Sequence, residues 1–375
     1  MKSVYLILFG LLALGGCKDK YVSPYKSPNT GYLVVEGYIT GNGPTKFVLS
    51  HTIKLPGDSA SPPEKGAIVS VEGDNNSVFR LLEQANGAYG IDTLPLNIGV
   101  KYRLRIKTTG GKEYLSDFAD YKPTPPIDSV NWILHPDNLV IYANTHDPAN
   151  ATKYYQWSYD EVWEYHAAES SGLKYIDNPV SVVGRLQSEQ IYRCWESGSS
   201  TSIIIASSAK LSQDEIYLHP LLNIPVGDRK LSVLYRITVR QYALTEDAYN
   251  FLSIMQKNTE SLGSIFDVQP SAVKGNIHCL SDPTEPVIGF VSAGTVRQEI
   301  MYISRGQLPA WPYYFNCSDT DHVIPNIKDS LIAYFGSGAM TPLEEAGKGY
   351  QANFTNCVDC RALGGTTVMP ADWPY

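Results

Sequence analysis

Clustered Lys and Arg are missing from the 375-residue chain, whose formal net charge is -8. Phosphate backbones are bound by such clusters, so nucleic acid is excluded as an expected partner. No G-x-S-x-G nucleophile elbow and no Gly-rich phosphate loop occurs, so the common hydrolase and nucleotide-binding signatures are absent. Seven histidines are too scattered to spell a zinc sequence. Long hydrophobic runs are also lacking after the first few residues; later ones, such as Ser202 to Ala206, are strand-sized.

What is present starts at the N-terminus. Met1-Lys2 precedes an apolar run from Val4 through Leu14, followed by Leu14-Gly15-Gly16-Cys17. A helical bilayer span needs roughly 20 apolar residues, so this run reads as an export signal over residues 1–16 rather than an anchor. A cysteine directly after small residues can accept a diacylglycerol and become residue one, and the segment resembles a bacterial lipobox. Cys17 is therefore the expected lipidation site, with acyl chains such as palmitate holding the protein on a bilayer. Residues 17–30, with Pro24 and Pro28, read as an extended tether.

The whole chain carries 26 tyrosines, 30 glycines and 24 prolines, a composition suited to β sheets and turns. Short alternating segments at 32–39, 46–52, 67–72, 77–82, 89–93, 101–107 and 113–118 predict an N-terminal immunoglobulin-like β-sandwich over residues 31–121. Lys122-Pro123-Thr124-Pro125-Pro126 marks a boundary. Residues 127–375 are expected to form a larger antiparallel, mainly-β domain with one helix near 245–257, capped by Thr245. Residues 288–293 and 296–304 read as a hairpin joined near Gly294.

Candidate chemistry is sparse. Tyr155, Trp157 and Tyr159 alternate on one strand face, either as a packed aromatic row or as a platform for ring-shaped ligands such as sugars. Asp160, Glu161 and Glu164 lie near Trp157 and Trp163, and a glycosidase would need two of them at a defined separation. Asp319, Asp321 and His322 are the densest metal-capable group, and a solvated turn explains them equally well. Beyond Cys17 five cysteines remain, an odd number; Cys357 and Cys360 are candidates for a redox pair, half a metal site, inert thiols or structural disulfides, including bonds to cysteines elsewhere. No cofactor is implied.

Several segments together resemble the DUF4249 family of Bacteroidetes outer-membrane lipoproteins. They are Leu33-Val34-Val35-Glu36-Gly37, Gly263-Ser264-Ile265-Phe266-Asp267, Val273-Lys274-Gly275-Asn276-Ile277, Asp282-Pro283 and Pro286-Val287-Ile288-Gly289-Phe290. Cys357-Val358-Asp359-Cys360-Arg361, Gly364-Gly365-Thr366-Thr367, Pro370 and Trp373 extend the likeness to the C-terminus. Met369 stands where the family usually has lysine, and His278-Cys279 follows Ile277 where asparagine is usual. The resemblance implies a lipid-anchored protein of the outer membrane, on the cell surface or on its periplasmic face, and assigns no residue a role. It implies a non-enzymatic accessory or ligand-binding protein for nutrient uptake with a TonB-dependent receptor. A glycan or peptide hydrolase and a structural surface protein are the alternatives. Asp58-Ser59-Ala60 and Asp92-Thr93-Leu94 look like O-glycosylation sites of the same group of bacteria.

Overall fold

A computed structural model describes residues 31–53, 61–260, 274–313, 317 and 322–374. Cys17, the tether, Asp58-Ser59-Ala60, Asp319 and Asp321 lie outside the described residues.

The alternating segments become strands because each can bury one row of side chains and wet the other. They are β1 (Leu33–Thr40), β2 (Thr45–His51), β3 (Ile68–Gly73), β4 (Val78–Glu83), β5 (Ala88–Ile91), β6 (Lys101–Lys107), β7 (Glu113–Ser116) and β8 (Ala119–Lys122). In β6, Tyr102, Leu104 and Ile106 point inward while Lys101 and Lys107 meet water. Leu33, Phe47, Leu49, Val69, Val71 and Tyr89 complete this core.

The second unit is a sandwich. Its first sheet joins β9 (Ile127–Leu134), β10 (Asn138–His146) and, from later in the chain, β16 (Glu215–Pro225). The facing sheet is built on β11 (Tyr154–His166), flanked by β14 (Arg193–Ser199), β15 (Ile204–Ser207) and β17 (Leu234–Ala243). Between β11 and β14 the chain makes the hairpin of β12 (Leu173–Ile176) and β13 (Ser181–Gly184). One apolar cluster draws Leu139 and Ile141, Trp157 and Tyr165, Ile216 and Ile224, and Tyr235 and Val239 from both sheets. Gln241 is fully buried among them, yet satisfied: it accepts from Trp157 Nε1 at 2.9 Å and donates to Pro125 O and Thr145 Oγ1.

Helix α1 (Glu246–Glu260) begins where Thr245 Oγ1 accepts from the Ala248 amide, with Glu246 and Asp247 at its positive end. Ala248 and Phe251 are its buried positions. Gln256 reaches Ile203 O on the sandwich, and Phe251 meets Phe290 at 5.5 Å, so the helix bridges the two units.

The chain then returns to the first unit with β18 (Ile277–Cys279), β19 (Ile288–Gly289) and β20 (Ala293–Gly294). β18 extends the sheet beside β7, β19 runs parallel to β1, and β20 lies parallel between β1 and β8. Because β8 also pairs with β6, strands β6, β3, β4, β5, β2, β1, β20 and β8 close into a ring. The first unit is therefore a closed, barrel-like sheet of eight strands in place of the expected immunoglobulin-like sandwich. Alternation is the same in both architectures, and the pairing that decides between them comes from 172 residues further on, with Ala293 opposite Tyr121 and Gly294 opposite Lys122.

The expected hairpin over 288–304 does not form either. Residues before Gly294 serve the barrel, while β21 (Val296–Ser304) pairs with β17 in the sandwich. Close approach demands glycine at the junction: a Cβ on Gly294 would lie 2.1 Å from Lys122 O. Two of the three chain passes between the units are tied together, since the Thr124 amide donates to Thr295 Oγ1 at 2.7 Å and Thr124 Oγ1 donates to Thr295 O at 2.5 Å. A last sheet of β22 (His322–Pro325), β24 (Gly349–Phe354) and β23 (Met340–Ala346) packs against the β12–β13 hairpin through Ile324, Phe335 and Tyr350.

Candidate functional site

Tyr155, Trp157 and Tyr159 point into the sandwich, at 0%, 1% and 7% exposure. Trp157 stacks on His219 at 4.9 Å and on Tyr155 at 5.7 Å, so the row is part of the core. The carboxylates beyond it are all engaged. Asp160 pairs with Arg240 at 2.7 Å. Glu161 accepts from Lys230 at 2.5 Å and from the Tyr235 hydroxyl at 2.8 Å. Glu164, three residues on and on the opposite face of the sheet, holds Arg193 through two bonds of 2.6 and 3.1 Å and accepts from Trp373 Nε1. A general acid or base must face a water or leaving group, and these oxygens face cations instead.

Cys357 and Cys360 are not bonded to each other. Cys357 is joined to Cys317 and Cys360 to Cys194, leaving Cys279 as a buried thiol. These crosslinks wall a cleft of about 520 Å³ lined by Trp163, Arg229, Lys230, Tyr313 and Leu363. Its cations are already paired, Arg229 with Glu196 and Lys230 with Glu161. His322 opens β22 and meets Phe354 edge-on at 5.8 Å. Among the described residues no three metal-capable side chains gather.

A larger cleft, about 740 Å³, opens on the outer side of the β9–β10–β16 sheet. Its geometry begins with a bulge. Ala143 pairs with His219 and Thr145 with Ile216, so Tyr217 and Leu218 together oppose the single residue Asn144. The extra residue forces Leu218 to a left-handed φ of 50°, a conformation that costs a side chain with a Cβ roughly 1–2 kcal/mol. Asn144 holds the distortion in place: its Oδ1 accepts from the Leu218 amide at 2.7 Å. Its Nδ2 donates to Ser129 Oγ at 2.9 Å and to Asn131 Oδ1 at 3.0 Å, so this nearly buried amide is fully used. Bulges re-aim side chains, and here Tyr217 stands outward at 73% exposure over the cleft.

The acids in the lining are restrained. Asp147 accepts from the amides of Ala149, Ala151 and Thr152 at 2.8 to 3.0 Å. Burial pushes its pKa up, but the three amides outweigh that and leave it below the ordinary value. Asp214, buried, accepts from the hydroxyls of Tyr155 and Ser208. Asp128 pairs with His146 at 2.8 Å and, by that hydrogen bond, raises the imidazole pKa above its usual value. Asn131, Asn150, Ser212 and Gln213 supply neutral amides and hydroxyls around them. A pocket of this volume with fixed polar groups is suited to hold a small ligand.

Tyr217 and Asn144 carried no signal in the sequence, since a bulge depends on the register of two strands 70 residues apart. Pro220 alone hinted at irregularity in β16, because proline withholds a ladder donor.

A family model described as a domain of unknown function, DUF4249, matches residues 18–300. The match spans the barrel, its closing strands and the Tyr217 cleft, and stops before the Cys357 and Cys360 segment. No curated protein matches the chain.

Proposed function

The chain belongs to the DUF4249 family, and from that premise we propose that it is a Bacteroidetes lipoprotein, acylated at Cys17 and carried by the outer membrane. It binds a ligand without transforming it, as an accessory to nutrient uptake through a TonB-dependent receptor on the cell surface. The observation that carries the binding part is the cleft under Tyr217, where Asp147, Asp214 and Asp128 are held by amides, hydroxyls and an imidazole rather than poised for proton transfer. The ion pairs of Asp160, Glu161 and Glu164 favour binding over hydrolysis. An open cleft favours it over a purely structural surface role.

Two features support export. The Leu14-Gly15-Gly16-Cys17 segment fits lipoprotein processing. Two disulfides suit an oxidising compartment rather than a reducing cytosol. Among the described residues no helix is long and apolar enough to cross a membrane, so the acyl chains are the proposed hold on the bilayer. The test is purification from detergent-solubilised native membranes. Mass spectrometry should find residue 17 as an acylated N-terminus, with an outer-membrane receptor among the co-purified proteins. An N-terminus lacking acyl chains removes the anchoring part; repeated recovery without a receptor removes the transport part.

A further inference from the structure

Deepening that binding reading, on which this inference rests, we propose that the cleft takes a neutral, hydroxyl-rich ring, a sugar unit of a glycan, with one ring face stacked on Tyr217. Three observations lead there. Among the described residues the tyrosine is the most exposed aromatic side chain, at 73%, and it is placed by a bulge whose left-handed residue is pinned by Asn144. Such a ring offers an apolar face to the C–H side of a saturated sugar and a hydroxyl at its rim. The remaining lining is polar almost throughout: Ser129, Asn131, His146, Asn150, Ser212 and Gln213 present donors and acceptors together, the mixture that hydroxyl groups require because each both donates and accepts.

Other ligand classes fit less well. An anion would enter among Asp128, Asp147, Asp214 and Glu215 with only His146 to oppose them. A metal ion would find Asp147 already used by three amides, Asp214 by two hydroxyls and Asp128 by His146, and Glu215 alone is too few ligands to hold one. An apolar ligand would strip water from these groups and return no hydrogen bond. Carboxylates that repel an anion and are themselves hydrogen-bonded, beside an open ring, favour the uncharged polyol.

The experiment uses the mature chain purified in detergent and three immobilised panels: neutral oligosaccharides, short peptides and small dicarboxylates. Binding is expected on the oligosaccharide panel, followed by titration of the bound glycan in solution. Tyr217→Ala should weaken it at least tenfold, Tyr217→Trp should retain or strengthen it, and Asn131→Ala should weaken it several-fold. Because Tyr217 is exposed, circular dichroism and thermal unfolding of its variants should match the parent. The inference is overturned by binding to peptides or dicarboxylates instead, by no binding to any glycan, or by glycan binding indifferent to Tyr217→Ala. Receptor co-purification reports separately: a receptor recovered with the parent chain, whose cleft binds no glycan, sinks the sugar assignment alone, whereas loss of every ligand and receptor sinks the binding reading beneath it.

Discussion

At the scale of single residues, Asn144 and Leu218 make the sharpest pair of expectations. Asn144→Ala leaves the Leu218 amide without its acceptor and the bulge without its brace, and should destabilise the fold by about 1–3 kcal/mol in denaturant titration. Leu218→Asn keeps the same backbone but replaces a residue that resists φ of 50° with one that tolerates it. That substitution should be neutral or stabilising by up to about 1 kcal/mol; a clear loss would mean the leucine side chain packs more than its geometry suggests. His146 gives a pH expectation. Its folded pKa is raised by Asp128, so the pair's contribution is complete below the unfolded value near 6.5 and fades as pH climbs through the folded one. Asp147 runs the opposite way, helping above its unfolded pKa and losing that help as pH falls. Proton-detected titration should find His146 above the ordinary histidine range, and Asp128→Asn should return it there.

Elements differ in how plainly the chain announces them. β6 could be read from Lys101-Tyr102-Arg103-Leu104-Arg105-Ile106-Lys107 alone, because period two with charged alternates permits only a half-buried strand. Helix α1 was equally plain, from Thr245 as cap to the change of period after Tyr242. The two-residue strands β19 and β20 were not, since Ile288 to Ala293 has the hydrophobicity of one continuous strand, and only partners elsewhere divide it. In the candidate site the aromatic row of β11 was legible as a row, but which side it faced depended on the sheet laid over it. The partners of Cys357 and Cys360 were hidden for the same reason. The Cys194–Cys360 bond spans 166 residues of sequence and fastens the C-terminal segment to β14. Replacing both cysteines by alanine should cost about 2–5 kcal/mol of stability, read as a lower urea midpoint, with the parent protein moving at least that far under reductant, which also opens Cys317–Cys357.

For the whole molecule, the late arrival of β18 to β20 separates sequence order from spatial order. Residues 31–126 hold most of the barrel core, but Val291 and Ala293 belong to the same apolar cluster, and without β20 the ring between β1 and β8 stays open. A fragment ending at residue 126 should therefore fail to give a dispersed amide spectrum. Joining residues 274–295 to it through a flexible linker should restore one. Restoration by the short fragment alone would show that closure is dispensable.

The Thr124 and Thr295 bonds carry one more implication. Two passes joined by a pair of hydrogen bonds must move together at that point, so a displacement of either chain end there is handed to the other. Barrel and sandwich are thereby coupled at this seam as well as through the helix.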